Sequence, residues 1–237
     1  MNTVEISVVI LCYKAGERIY GFVDKTVELL NNSVSSWEIV LVGNYFENTN
    51  DTTPKVVNDI ASKMENIKAV AQPKRGMMGW DARSGLAAAT GNYICFIDGD
   101  EQMPMDDIIR VYKKIKQDNL DFVTTYRLLR YDGLRRKIIS GVYNFLFKIL
   151  FPGIGVRDVN SKPKIFTKGA YAKMHLTSED WFLDAEMVLQ ARRLKLKMGE
   201  IPTKFYRCNY RNSFVKSETV FEFIRNLIHA RIAGFFK

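Results

Sequence analysis

The chain has 237 residues, of which 47% are hydrophobic and 12% are aromatic. This composition supports a sizeable core and excludes a disordered or collagen-like chain, and the length predicts one large domain. The lysines and arginines number 35 against 26 acidic residues, for a net charge of +9. Three scattered cysteines (Cys12, Cys95 and Cys208) exclude a disulfide scaffold and a CxxC zinc site and are typical of a reducing compartment.

Targeting and membrane-spanning signals are missing from the sequence pattern. The first residues, MNTVEISVVIL, lack the basic region and the long apolar stretch of a signal peptide. No uninterrupted apolar run reaches the roughly 18 residues that a spanning helix needs. We therefore expect a soluble or peripheral protein of the cytoplasm.

The charge is divided unequally between the two halves of the chain. Residues 1–120 carry a net charge of −3 and residues 121–237 a net charge of +12. A strongly cationic half favours an anionic partner, which could be nucleic acid, an anionic membrane surface or a phosphorylated substrate. A basic face that is only solvated is the alternative.

Short apolar runs alternate with helical patterns over the first half. The runs begin roughly 30 residues apart, which is the length of a strand–helix–strand crossover between parallel strands. This pattern predicts an α/β fold with a mainly parallel, doubly wound sheet and helices on both faces. The predicted strands cover 6–11, 37–42, 67–70 and 93–97, and the predicted helices cover 17–31, 54–64, 81–90 and 105–116.

The second half is less regular. We predict strands at 122–126 and 197–202, a helix at 183–194 and an amphipathic helix at 219–236. Residues 138–151 are strongly apolar and follow the basic residues 135–137. Such segments can lie in a membrane interface, where flanking basic residues attract anionic headgroups, or they can pack on the core or a partner subunit.

Two carboxylates stand where the fourth predicted strand ends. Asp98 and Asp100 are separated by Gly99, which allows the backbone and a ligand to approach closely. Ligands of open α/β sheets bind at the carboxyl ends of strands, and hard oxygen donors suit Mg²⁺ or Mn²⁺. Gln102 could supply a further oxygen ligand. An ordinary acidic turn is the alternative.

Several common site motifs do not occur. The sequence has no GxGxxG after its first strand and no GxxxxGK[ST], HExxH or GxSxG motif. These absences argue against dinucleotide-binding and P-loop enzymes. His175 and His229 are the only histidines, and we interpret both as structural.

Three segments of the sequence belong together, and they are ISVVILCYK, WEIVLVGN and GMMGWDARSGLAAATGNYICFIDGDEQMP. With residues 126–127, 136–140, 158–161, 183–186 and 199–202, they resemble the family 2 glycosyltransferases of GT-A fold. The resemblance covers about residues 4–216 and is greatest to the dolichyl- or polyprenyl-phosphate sugar transferases. It implies a nucleotide-sugar-binding half (1–120), an acceptor-side α/β extension of the same domain (121–216) and a C-terminal amphipathic helix (217–237).

The resemblance also implies roles for individual residues. Asp98, Asp100 and Gln102 match the family's metal- and diphosphate-binding DxDxQ, with Mg²⁺ or Mn²⁺ as cofactor. Gly43 and Asn44 depart from the two aspartates that usually bind the base or ribose. The remaining positions implied to contact the nucleotide sugar are Leu11, Cys12, Tyr13, Glu17, Asn44, Asp81, Arg83 and Gly99, and those implied to contact phosphates or the acceptor are Arg127, Arg136 and Arg207 or Arg211.

Asp184 is the acid that the family's spacing assigns to the acceptor. With a hydroxyl acceptor it would be the general base, and with a phosphate acceptor it would orient the acceptor instead. We interpret Asp180 as an acid that interacts with the helix dipole.

The resemblance implies a metal-dependent inverting glycosyltransferase of cell-envelope polysaccharide synthesis. Its donor would be a nucleotide-diphosphate sugar, and its acceptor a polyprenyl phosphate or a glycan hydroxyl. The enzyme would lie in the cytoplasm, either free or peripherally at the inner face of the membrane, and the resemblance leaves its oligomeric state open. The alternatives are a degenerate member that binds nucleotide sugar without turnover, which Gly43 and Asn44 favour, and a basic nucleic-acid-binding domain, which we consider least favoured.

Overall fold

The computed structural model of the chain describes residues 3–208 and 217–232. Within these ranges a 3-10 turn, Gly16–Arg18, precedes the first of eight helices. The strands are β1 (Ile6–Leu11), β2 (Trp37–Val42), β3 (Ile67–Val70), β4 (Tyr93–Asp98), β5 (Phe122–Arg130), β6 (Lys164–Thr167) and β7 (Met198–Phe205). The helices are α1 (Ile19–Asn31), α2 (Thr53–Ala61), α3 (Met78–Ala88), α4 (Asp107–Gln117), α5 (Leu134–Leu150), α6 (Lys168–Tyr171), α7 (Leu183–Arg193) and α8 (Ser217–Ile232).

The described strands form one sheet in the order β3-β2-β1-β4-β6-β5-β7. β6 runs antiparallel to β4 and to β5, and the other neighbouring strands are parallel. The predicted α/β fold with a mainly parallel sheet is therefore confirmed.

Alternate side chains of β1 enter two separate apolar cores. Val9 and Leu11 pack with α3, α5, α7 and α8, whereas Ile6, Val8 and Ile10 pack with α1, α2 and α4. All six residues of β1 are buried because helices cover both faces of the sheet. This explains why the strand is a nearly unbroken apolar run, in which the one polar residue, Ser7, is buried and donates to Glu38 at 2.5 Å.

β6 and the short helix α6 that follows it were not among the predicted elements. β6 has only four residues, and it begins with Lys164, whose side chain is completely buried. A lysine is rarely buried without a partner, so the pattern Lys-Pro-Lys before Ile165 gave no strand signal. The partner that makes this burial possible lies in the site described below.

Some predicted boundaries also moved. β5 continues to Arg130 and α5 begins at Leu134, whereas the sequence predicted a strand end at 126 and an apolar segment from 138. The tail helix is α8, and residues 233–236 of the prediction lie outside the described residues. The division of the domain into functional halves stays a prediction.

Candidate active site

The carboxyl ends of β1, β2 and β4 meet at one edge of the sheet. Leu11 is in register with Val42 of β2 and with Asp98 of β4. Just past these ends, the amide of Cys12 donates to the carbonyl of Val42 at 2.8 Å, and the amide of Gly99 donates to that of Leu11 at 2.9 Å. Ligands of open α/β sheets bind at such an edge. We therefore take this edge as the candidate active site.

Asn44, which follows β2, is completely buried. Its amide nitrogen donates to Asp81 Oδ1 at 3.0 Å and to Ser84 Oγ at 2.9 Å, and its Oδ1 accepts from the amide of Gln72 at 3.0 Å. Both amide hydrogens and the carbonyl are thus used inside the protein. Asn44 holds Asp81 and the chain after β3 in place.

Gly43 lies where α2 approaches the sheet closely. A Cβ atom at this position would be 2.6 Å from Cγ2 of Val57, a residue of α2 with no solvent exposure. An aspartate here would push α2 away from β2, because close-packed interiors do not absorb added atoms without strain. Gly43, where the family usually has an aspartate, is therefore the residue that permits this tight contact between α2 and the sheet.

Asp81 forms a buried ion pair with Lys74. The Lys74 ammonium lies 4.1 Å from the ring centroid of Tyr13 and 5.5 Å from that of Phe46. Burial raises the pKa of Asp81 and lowers that of Lys74, and the charge of each partner counteracts the effect of burial on the other. The result is a buried ion pair packed against two aromatic rings, next to the carboxyl ends of β1 and β2.

The other residues predicted on the donor side occupy varied settings. Leu11 and Cys12 are buried, and burial raises the pKa of the Cys12 thiol, so Cys12 serves as a small apolar residue. Glu17 is exposed beside a surface groove after β1. Arg83 donates to the carbonyl of Thr177 at 2.9 Å and lies 3.6 Å from Glu179, so it contacts the segment before α7.

The loop of Asp98, Gly99 and Asp100 is fixed from its far side. Asp100 Oδ1 accepts from the amide of Gln102 at 3.1 Å. Gln102 is buried, and its Nε2 donates to the carbonyl of Tyr206 at 2.8 Å, while the amide of Tyr206 donates to the carbonyl of Gln102 at 2.7 Å. These bonds fasten the acidic loop to the end of β7.

The donor set at this loop fits a divalent cation only in part. The described residues contain no group of three or more His, Cys, Asp or Glu side chains arranged to hold a metal ion. Asp98 and Asp100 supply two carboxylates, and the Asp98 side chain keeps one third of its exposure. Mg²⁺ and Mn²⁺ commonly take one or two carboxylates and complete their shell with water and substrate phosphates. The residues fit such a cation if a diphosphate supplies the other ligands.

A buried group of alternating charges lies behind Asp98. Lys162 Nζ is 3.0 Å from Asp184 Oδ2 and 3.4 Å from Asp98 Oδ2, and Lys164 Nζ is 2.6 Å from Asp184 Oδ1. Lys164 also donates to the carbonyl of Ser161 at 2.6 Å. Burial disfavours the charged form of Asp184, but the two ammonium groups outweigh it and lower the pKa of the carboxyl. Asp184 is therefore an ionised acid with both oxygens paired.

Three guanidinium groups surround one aromatic ring at the end of β7. The guanidinium carbons of Arg127, Arg130 and Arg136 lie 5.1, 5.5 and 5.4 Å from the ring centroid of Phe205. Arginine stacks readily on aromatic faces and presents a planar fork to phosphate oxygens. This arginine cluster is a candidate phosphate site.

Two acids partly neutralise the arginine cluster. Arg127 Nε and Nη2 contact Asp158 at 2.6 and 2.8 Å. Asp132 accepts from Arg130 at 3.0 and 2.7 Å and lies 3.4 Å from Arg136. Three cations and two anions leave an excess of one positive charge. That excess favours an anionic ligand.

The arginine cluster lies close enough to the acidic loop to interact with it electrostatically. Burial lowers the pKa of Arg136, and the carboxylates of Asp132 and Asp100 counteract this effect. Of the later basic residues, Arg207 is exposed, and Arg211 lies outside the described residues.

Sequence reasoning missed several charged residues of this edge, namely Lys74, Arg130, Asp132, Lys162 and Lys164. Lys162 and Lys164 flank a proline just before Ile165, but no local pattern shows that their side chains are buried beside an acid. Lys74 gave no signal either, since it lies in a polar loop where exposed lysines are common.

The family is shown by comparison with known proteins. Residues 7–173 match the sequence model described as Glycosyl transferase family 2. The chain belongs to this family, so the predicted family and enzyme class, a glycosyltransferase, are confirmed.

Individual relatives are more distant. The chain is 24% identical over 215 residues to the dolichyl-phosphate beta-glucosyltransferase ALG5C of Trichomonas vaginalis, covering 83% of this chain and 62% of the relative. It is 26% identical over 207 residues to the glycosyltransferase AglD of Haloferax volcanii, covering 84% of this chain and 32% of the relative. The chain thus spans less than two thirds of the length of these curated relatives.

The fold is shared with a solved enzyme. Glucosyl-3-phosphoglycerate synthase from Mycobacterium tuberculosis, in complex with Mn²⁺, uridine diphosphate and phosphoglyceric acid, superposes with a TM-score of 0.70. The sequence identity is 18%, over 98% of this chain and 78% of the synthase. The predicted GT-A fold class is confirmed.

Proposed function

We propose that this chain is a metal-dependent inverting glycosyltransferase that moves a sugar from a nucleotide-diphosphate sugar to a polyprenyl phosphate. The observation that carries the proposal is the bonding of Gln102 to Tyr206, which brings the acidic loop of Asp98 and Asp100 next to the arginine cluster. One side of this edge suits a cation and a diphosphate, and the other side suits a second phosphate.

The donor side follows from the two aromatic rings beside Lys74 and from the acidic loop. The base would lie against Tyr13 and Phe46, over the pair of Lys74 and Asp81. A divalent cation held by Asp98 and Asp100 would neutralise charge on the departing diphosphate. The solved synthase holds uridine diphosphate and Mn²⁺, which supports a uridine nucleotide and Mn²⁺ as the first pair to test.

The acceptor side favours an anion over a hydroxyl. Both oxygens of Asp184 are paired with lysines and its pKa is lowered, so it would be a poor general base. A phosphate oxygen needs no base. It would attack the anomeric carbon from the face opposite the leaving group, and the bond from that carbon to the diphosphate oxygen would break with its electron pair. Asp184 would then orient the site, and the arginine cluster would hold the acceptor.

The relatives support this acceptor, since several are named dolichyl-phosphate beta-glucosyltransferases. A screen of nucleotide sugars with Mn²⁺ and Mg²⁺ tests the donor. We expect one sugar nucleotide, with UDP-glucose tried first, to raise the melting temperature only when the metal is present and to release nucleoside diphosphate when polyprenyl phosphate is added. Equal stabilisation with and without metal would contradict the metal-dependent donor site.

A non-catalytic role is the second candidate, because Asn44 is fully occupied inside the protein. It predicts stabilisation by a sugar nucleotide without nucleotide release for any acceptor in the screen. Release above the rate without enzyme would exclude it.

We also propose that the chain binds the membrane surface from the cytoplasmic side through α5. Among the described residues, no helix combines the length and the apolarity needed to cross a bilayer. An exposed stripe nevertheless runs the length of α5 at helical spacing, and it consists of Leu134, Ile138, Val142, Phe145 and Ile149. These five side chains are between 50% and 72% exposed.

The charge around this α5 stripe favours anionic lipid as its partner. α5 contains no acidic residue, and Arg135, Lys137 and Lys148 are exposed on it. Interfacial helices of this kind combine an apolar face with basic flanks, which attract anionic headgroups. Arg136 of the same helix belongs to the arginine cluster, so a docked α5 would bring the proposed acceptor site to the lipid phosphate.

A further inference from the structure

Lys162 is the residue that connects the acceptor-side acid to the proposed metal site. Its side chain is 5% exposed, and its ammonium lies between Asp184 Oδ2 at 3.0 Å and Asp98 Oδ2 at 3.4 Å. Asp184 does not depend on it alone, because Lys164 pairs with the other oxygen at 2.6 Å. For Asp98, in contrast, Lys162 is the cation with which the carboxylate pairs.

The position of Lys162 is held by the surrounding chain. The carbonyl of Lys162 accepts from Thr125 Oγ1 at 2.7 Å, and Thr125 Oγ1 is 2.6 Å from Ser161 Oγ. The ammonium also lies 5.7 Å from the ring centroid of Phe96, whose side chain is buried. Because its backbone is hydrogen-bonded and its side chain is buried, the Lys162 ammonium has little freedom to move away when another cation binds.

Two cations that share one carboxylate repel each other. A divalent ion on Asp98 would therefore bind against the charge of Lys162 unless extra negative charge entered the site. A nucleoside diphosphate brings that charge, and it also supplies the oxygen ligands that the described protein residues lack.

We infer that Lys162 is a positioning residue that makes metal binding conditional on the nucleotide diphosphate. The protein alone holds the cation weakly because Lys162 competes for Asp98. The protein with a bound diphosphate holds the cation tightly. The inference rests on the proposed function, since it assigns the regulation of that same metal site.

Lys162→Met tests the inference, because it removes the charge and keeps much of the side-chain volume. Asp184 keeps its pair with Lys164, so no buried acid is left alone. The dissociation constant of Mn²⁺, measured by electron paramagnetic resonance without nucleotide and with saturating UDP, reports binding and not turnover. We expect Lys162→Met to bind Mn²⁺ alone roughly tenfold to a hundredfold more tightly than the wild type, as the loss of one nearby positive charge predicts. The gain in Mn²⁺ affinity on adding UDP should shrink accordingly.

Two further variants make the result specific. Lys162→Arg keeps the charge and should keep the wild-type difference between Mn²⁺ affinity with and without UDP. Lys173→Met removes an exposed charge on the chain after β6 and should leave Mn²⁺ binding unchanged, which controls for net charge. If Lys162→Met proves too unstable to measure, Lys162→Gln tests the same loss of charge.

The outcomes separate this inference from the proposed function. If folded Lys162→Met, or its Gln counterpart, binds Mn²⁺ alone no more tightly than the wild type does, the inference is wrong and the proposed transferase stands. If neither the wild type nor any variant binds Mn²⁺ even with UDP, the metal role in the proposed function is wrong, and the inference is wrong with it.

Discussion

Arg127 and Asp158 form a buried ion pair in the arginine cluster, and each side chain is only 9% exposed. Burial opposes ionisation of Asp158, but the guanidinium fork of Arg127 outweighs it and lowers the pKa of Asp158 to about 2. The ordinary value for an aspartate in an unfolded chain is about 3.9. This pair therefore stabilises the fold above about pH 4, and its contribution is lost as the pH falls towards 2.

We expect Asp158→Asn to flatten the pH dependence of stability. Over this acid range the wild type should lose about 2 kcal/mol of unfolding free energy more than the variant does, because the shift of the Asp158 pKa is absent from the variant. Urea unfolding between pH 6 and pH 2.5 measures this. Asp24→Asn changes an exposed acid and should follow the wild-type curve. Parallel curves for Asp158→Asn and the wild type would contradict the assignment.

The sequence identified the acidic residues of the site but not the lysines that pair with them. Asp98 and Asp100 stand at the end of an apolar strand, and strand ends can be read from periodicity. Lys162 and Lys164 reach Asp184 across 22 and 20 residues of chain, and no local pattern encodes such pairings. The family resemblance pointed to Asp184 but not to the two lysines that occupy its oxygens.

At the scale of elements, the first three strands were the most predictable. β1, β2 and β3 have the predicted bounds because each is a short, mainly apolar segment between polar turns. β6 could not be predicted, since its first side chain is a buried lysine whose partner lies on α7. Helix starts were less certain, because α5 opens with Leu134 and three basic residues before its apolar run begins.

The packing of α3 on the sheet gives a test of one such element. A Cβ atom at Gly85 would lie 2.4 Å from Cγ2 of Val42 and 2.5 Å from Cγ1 of Val9. We expect Gly85→Ala to destabilise the protein by about 1–3 kcal/mol, because it overpacks this contact. Gly21→Ala lies in α1 with open space around its new Cβ atom and should be neutral or stabilising by up to about 1 kcal/mol. Chemical denaturation compares the two, and equal effects would rule out close packing at Gly85.

The exposed stripe of α5 gives a second test at this scale. Wild-type protein should float with vesicles that contain anionic lipid and should remain largely unbound with vesicles of neutral lipid. Ile138→Glu with Phe145→Glu should abolish flotation, because both changes place a charge on the apolar face. Leu194→Glu changes another partly exposed apolar residue, at the end of α7, and should float as the wild type does. Flotation of the double variant would show that the α5 stripe is not the docking surface.

At the scale of the whole molecule, the excess of positive charge in residues 121–237 has a partial structural account. The arginine cluster, Lys162, Lys164 and the basic residues of α5 all come from this half, and they lie from the acidic loop outward to the apolar stripe. The arrangement matches a reaction in which a diphosphate leaves on one side and a lipid phosphate arrives on the other. The sequence predicted that the partner carries negative charge, but only the fold shows that these basic residues lie at one edge of the sheet.

The most direct test of the central claim is a transfer assay with a radiolabelled sugar nucleotide, Mn²⁺ and polyprenyl phosphate in vesicles. We predict labelled lipid from the wild type, no product with polyprenol that lacks the phosphate, and at least about a hundredfold less product from Asp100→Ala, since a bound metal contributes several kcal/mol to such reactions. Wild-type turnover by Asp100→Ala, or equal transfer to polyprenol, would contradict the account.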